Sequence, residues 1–134
     1  MKRKAPPVRE FMTHLPVELE RCETIDDALS LMEAHRIHHI PVMSGSRLKG
    51  IVSERDILAA RNRYSDQLGT MAIEEVCEVE VLTVSPIEPV NEVAEQMLSR
   101  QVDSAVVVDG GFVVGIFTST DALRALCQLF GSSH

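Results

Sequence analysis

The chain has 134 residues, 45% of them apolar and 25% charged, and carries a net charge of −7. That length suits one domain or two small units sharing a core, because half of it, at roughly 60 residues, buries only about 60% of its unfolded surface. The acidic balance, with no basic stripe after Lys2, Arg3 and Lys4, argues against duplex nucleic acid as a direct partner, and no apolar run approaches the ~18 residues of a membrane helix.

In chain order, residues 1–7 are basic and end in proline, as expected of a loose N-terminal arm. Val8–Thr13 suits a single helical turn with Val8, Phe11 and Met12 on one side, and Pro16–Cys22 a short strand. Thr24 suits an N-cap, and Asp26 and Asp27 suit the positive end of the helix that follows, whose apolar face is Ile25, Ala28, Leu29 and Met32. Ile40–Met43 and Leu48–Ser53 read as a hairpin around Ser44-Gly45-Ser46. Glu54–Tyr64 is expected to be helical, and residues 65–72, with Gly69, to be a linker.

The second half replays the first. Ile73-Glu74-Glu75-Val76 answers Val8-Arg9-Glu10-Phe11, and Glu80–Val84 reads as a strand. A helix follows Pro89, with Val90, Val93, Ala94, Met97 and Leu98 on its face. Ser104–Val108 and Phe112–Thr118 flank the tight turn Asp109-Gly110-Gly111. Ser119–Phe130 is the last helix, and residues 131–134 form a tail.

Gly50-Ile51-Val52-Ser53-Glu54-Arg55-Asp56 returns 65 residues later as Gly115-Ile116-Phe117-Thr118-Ser119-Thr120-Asp121. The same offset aligns Val8 to Arg61 without a gap, and about ten positions are identical, among them Glu10/Glu75, Met32/Met97, Val42/Val107 and Gly45/Gly110. Repeated units that cannot bury a face alone are expected to pack together. The expected boundaries are 8–64 for the first copy and 73–130 for the second.

These residues resemble the CBS-domain pair, or Bateman module. Val8–Thr13 looks like the family's lead-in to the first repeat, and Thr83-Val84-Ser85-Pro86 with Pro89–Ala94 like the lead-in and first helix of the second. Ile37-His38-His39-Ile40-Pro41-Val42 resembles the turn into the middle strand, and the two Gly-to-Asp stretches resemble the nucleotide motif. The resemblance covers about residues 8 to 130. It implies an α+β (mixed α/β) fold of tandem β-α-β-β-α units with pseudo-twofold symmetry, and two clefts between the repeats. In that family the clefts take AMP, ADP, ATP or S-adenosylmethionine, and members commonly form flat homodimers. The function expected is a regulatory ligand sensor read by an effector protein; the alternative is a ligand-free dimerisation scaffold.

Ser53–Asp56 and Thr118–Asp121 fall where a strand passes into a helix. Free backbone N–H groups and the helix dipole attract an anion there, the hydroxyl adds a donor to a phosphate, and the carboxylate can accept from both hydroxyls of a ribose. Adenine would then rest near Ile40-Pro41 or Ala105-Val106. The competing reading is a capping box, which stabilises a helix start by roughly 0.5–2 kcal/mol without any ligand. The two copies are also unequal. Arg55 lies inside the first motif, whereas Thr120 replaces it in the second and Arg124 is the nearest cation. Thr83, a family position, is Glu18 in the first copy, where a carboxylate would repel phosphate. His39 matches a family position beside the ligand.

Other constellations are weaker. His35, His38 and His39, with His14, have possible metal spacing, but a solvated helix end explains them better. No nucleophile triad stands out, so no enzymatic activity is expected. Asp26-Asp27 and Glu74-Glu75 read as helix-start charges. The apolar last helix suits core or dimer surface and lacks the basic face of a membrane anchor. Three cysteines, Cys22, Cys77 and Cys127, without CxxC spacing suit free thiols in the cytoplasm.

Overall fold

The computed structural model describes residues 5–63 and 68–131. Lys2, Arg3 and Lys4 of the expected arm, Tyr64, the linker's residues 65–67 and the tail's residues 132–134 lie outside the described residues. A one-turn 3-10 helix at Val8–Glu10 is followed by β1 (Thr13–His14), β2 (Leu19–Glu20), α1 (Ile25–His35), β3 (His39–Ser44), β4 (Arg47–Ser53) and α2 (Glu54–Arg61). Further 3-10 turns at Leu68–Thr70 and Ile73–Glu75 lead to β5 (Leu82–Val84), α3 (Val90–Arg100), β6 (Ser104–Asp109), β7 (Phe112–Thr118) and α4 (Ser119–Phe130). This is a mixed α+β order in which β-α-β-β-α occurs twice.

Four expected elements are shorter than the sequence suggests; one is the helix expected over Glu54–Tyr64, which ends at Arg61. The helical turn stops at Glu10, after Phe11 N–H donates back to Val8 O at 2.9 Å, and Thr13–His14 becomes extended instead. The strand over Pro16–Cys22 contracts to Leu19–Glu20, because Glu23 N–H closes a turn on Glu20 O at 2.9 Å. The strand expected from Glu80 begins at Leu82.

Two compact units form, Leu15–Val81 and Met1–His14 with Leu82–His134. In the first, β2 pairs parallel with β3, and β3 pairs antiparallel with β4. In the second, the order is β1-β7-β6-β5, with β5 and β6 parallel and the other pairs antiparallel. Each unit borrows the lead-in of the other sequence copy. Val8 is buried in the core with Leu82, Val93 and Phe117, while Ile73 is buried with Leu19, Ile25 and Val52. The backbone bonds repeat in register. Val8 N–H donates to Glu88 O at 2.8 Å and Val90 N–H to Pro6 O at 2.9 Å; Ile73 N–H donates to Glu23 O at 2.7 Å and Ile25 N–H to Met71 O at 3.0 Å.

The helices start for different reasons. Thr24 caps α1 through a full capping box, with its hydroxyl accepting from Asp27 N–H and Asp27 accepting from Thr24 N–H at 2.9 Å. The Thr24 N–H first, and the Thr24 hydroxyl second, hydrogen-bond the Asp27 carboxylate and hold it below its ordinary range. α3 starts at Pro89 without a side-chain cap, its φ of −58° already suited to a helix.

Candidate functional site

Both Gly-to-Asp stretches run from the last strand of a hairpin into a helix. Ser53 is the N-cap of α2: its Oγ accepts Asp56 N–H at 3.1 Å, and Asp56 Oδ2 accepts Ser53 N–H at 2.9 Å. Thr118 caps α4 in the same way, at 3.2 and 2.9 Å. Both capping boxes are thus formed, and both turns present a hydroxyl and a carboxylate beside a helix N-terminus.

The opening glycines have a steric reason. A Cβ at Gly50 would run into the carbonyl of Glu78, whose N–H and C=O bridge to Ile51 at 2.8 and 2.9 Å. A Cβ at Gly115 would lie 2.7 Å from Met12 Sδ and 2.8 Å from Thr13 O. The borrowed lead-ins therefore cross both hairpins at the motif's first residue. Beside Gly50, burial pushes the Cys77 thiol pKa up.

The carboxylates differ. Asp121 is 2% exposed. Besides the Thr118 N–H, its oxygens accept the Thr118 hydroxyl at 3.1 Å, the Thr13 hydroxyl at 3.0 and 3.2 Å, and Arg124 Nη1 at 3.0 Å. Asp56 is half-buried. The positions aligned with Thr13 and Arg124 in its copy are Glu78 and Ala59, and neither an ionised carboxylate nor a methyl group can donate.

The other sequence-predicted residues distribute as follows. His39, half-buried, opens β3 directly opposite Ser53, so the fold brings those two together. Arg55 and Thr120 are exposed on the first turns of α2 and α4. Thr83 is exposed in the middle of β5, paired with Val106. Ile40 and Ala105 are fully buried in the two cores, and Pro41 and Val106 are also buried, on the alternate side of their strands. In the sequence Thr13 reads only as part of a lead-in; its contact with Asp121 spans 108 residues and has no local signal. His38 Nδ1 lies 3.0 Å from Glu54 Oε1, both side chains exposed.

Two further surfaces lie apart from these turns. A groove of about 570 Å³ runs between α1 and α2, with Met32, Ile37 and Ile57 in its wall and Arg36, Glu54 and Arg61 at its rim. On α4, Leu123, Leu126 and Phe130 make an exposed apolar stripe at helical spacing. Among the described residues no helix is long and apolar enough to cross a membrane.

Comparison with known proteins agrees with this layout: the CBS domain model matches residues 8–63 and 73–128. The chain belongs to the CBS domain family. It is 30% identical to the CBS domain-containing protein YhcV of Bacillus subtilis over 114 residues, covering 85% of this chain and 81% of YhcV. Its CBS pair also resembles the solved CBS domain pair of MJ0100 in complex with 5′-methylthioadenosine and S-adenosyl-L-methionine, at 28% identity and a TM-score of 0.78, covering 93% of this chain and 98% of that one. CBSX2 in complex with AMP is similar at 26% identity and a TM-score of 0.72, with 93% and 98% covered. A stretch similar to this chain also lies within a longer protein. The chain spans 13% of the A-adding tRNA nucleotidyltransferase of Geobacter sulfurreducens, to which it is 29% identical over 121 residues (88% of this chain).

Proposed function

We propose that this CBS pair is a non-catalytic regulatory module that binds an adenine nucleotide through its two strand-to-helix turns. The observation that carries this reading is the paired hydroxyl and carboxylate at a helix N-terminus, present in both copies of a CBS pair. A phosphate suits the N-terminal N–H groups with the Ser53 or Thr118 hydroxyl, and a ribose diol suits Asp56 or Asp121. Arg55, Thr120, Thr83 and His39 supply further polar contacts, and the base lies along the strand backbone at Pro41 or Val106, whose side chains are themselves buried. AMP bound to CBSX2 and S-adenosyl-L-methionine bound to MJ0100 support the ligand class. The partner is a second copy of the chain, for which the α4 stripe supplies apolar surface, and binding alters the helix packing that an effector reads.

Thermal unfolding with AMP, ADP, ATP and S-adenosylmethionine tests this. A ligand at a hundredfold excess over Kd adds about 2.7 kcal/mol, or roughly 10 °C in Tm. A flat response to all four at millimolar concentration overturns the reading. A second reading, a ligand-free scaffold, is favoured by one observation: both capping boxes are complete by themselves. On that reading, substitution at Ser53 or Thr118 lowers Tm equally with and without nucleotide.

A further inference from the structure

The two turns differ in what already occupies the carboxylate, and this points to a device beyond nucleotide binding itself. Asp121 has its acceptor positions engaged by the Thr118 N–H and hydroxyl, the Thr13 hydroxyl and Arg124. A carboxylate offers about four lone-pair positions, so a ribose diol can add only by replacing donors. Thr118 is fixed as the N-cap of α4 and is a neighbour in sequence. The replaceable donors are Arg124, whose side chain is 60% exposed, and Thr13, which is exposed on β1. The Thr13 hydroxyl sits within 3.0 and 3.2 Å of the two carboxylate oxygens, the bridging position that a vicinal diol would take.

We infer that Thr13 is an internal competitor at the second turn, so that a nucleotide binding there must displace its hydroxyl and loosen β1 from β7. The inference rests on the nucleotide-binding reading of these turns. The element that would move is small: β1 is two residues long and pairs with β7 only at Thr13–Ile116 and His14–Gly115. Upstream, Val8 stays anchored by its buried side chain and its bond to Glu88 O. Displacement therefore costs one edge pairing, not the core. At the first turn Glu78 holds the position of Thr13, and a glutamate there offers no hydroxyl of this kind.

The test is calorimetric titration of AMP and of ATP into four full-length proteins: wild type, Asp56→Ala, Asp56→Ala with Thr13→Val, and Asp56→Ala with Thr13→Ser. Asp56→Ala isolates the second turn. Valine matches threonine in shape and lacks the hydroxyl, whereas serine keeps it. Thr13→Val in that background is expected to tighten binding about tenfold, with Thr13→Ser close to the single variant. Equal or weaker binding by Thr13→Val overturns the competitor. So does binding by wild type with none by any variant carrying Asp56→Ala, which leaves the nucleotide reading standing at the first turn. No binding by wild type or by any variant overturns both.

Discussion

Ser53–Asp56 and Thr118–Asp121 are copies of one motif with one cap geometry, yet they sit in different surroundings. Asp121 is sealed beneath Thr13 and tied to Arg124, while Asp56 is half-buried with Glu78 and Ala59 at the corresponding positions. The difference arises outside the motif. Thr13, from the lead-in of the first sequence copy, covers Asp121, whereas Glu78 at the aligned position meets the first hairpin at Ile51. A duplicated motif can therefore keep its fold role in both places while the donors around its carboxylate change in one.

The sharpest way to break this comparison is to remove each carboxylate. Asp121→Ala removes a buried carboxylate that accepts from Thr118, Thr13 and Arg124 and is expected to cost about 3 kcal/mol, whereas Asp56→Ala loses mainly a cap, about 1 kcal/mol. Urea unfolding of both variants measures this, and equal losses would show that the coverage of Asp121 contributes nothing. Next come the glycines. Gly50→Ala meets backbone and should cost about 2–3 kcal/mol; Gly115→Ala meets the movable Met12 thioether as well as backbone and should cost about 1–2 kcal/mol. The reverse order in a melting series would mean that the second lead-in is held less closely than the first.

Smaller effects sharpen the picture at the other helix start. Asp27 lies below its ordinary pKa in the folded chain, so its contribution is fully present above the usual carboxylate range and is lost as pH falls through the lowered value. The difference in urea midpoint between wild type and Asp27→Asn should vanish in acid and persist at neutral pH; a difference that grows in acid contradicts the cap. Smallest is a labelling contrast. Cys22 and Cys127 are exposed, while burial raises the Cys77 thiol, so a maleimide should modify Cys77 last. Cys77 reacting first would mean that the lead-in around Gly50 is open.

Much of the fold was legible because its signals are local. The Gly45 and Gly110 hairpins, the hydroxyl-x-x-Asp starts of α2 and α4, and the apolar spacing of α1 and α3 all fall within a few residues of one another. The 65-residue offset then supplied the duplication. What could not be read was where the lead-ins go. Val8–Thr13 and Ile73–Val76 look alike, and nothing local tells that Val8 enters the core of the second hairpin and Ile73 that of the first. The ends of α1 and α3 were equally silent, because Arg36 and Gln101 take left-handed conformations (φ 55° and 57°) without the glycine that usually marks them. At the candidate site the motif residues were readable, but the Thr13–Asp121 bond depends on a pairing across almost the whole chain.

The most direct measurement is calorimetric titration of AMP and ATP into wild type and into Asp56→Asn, which keeps the size of the side chain. Saturable binding by wild type, weakened at least tenfold at one site in Asp56→Asn, is the predicted result. A flat wild-type titration, or unchanged affinity in the variant, would contradict a nucleotide read by the open turn.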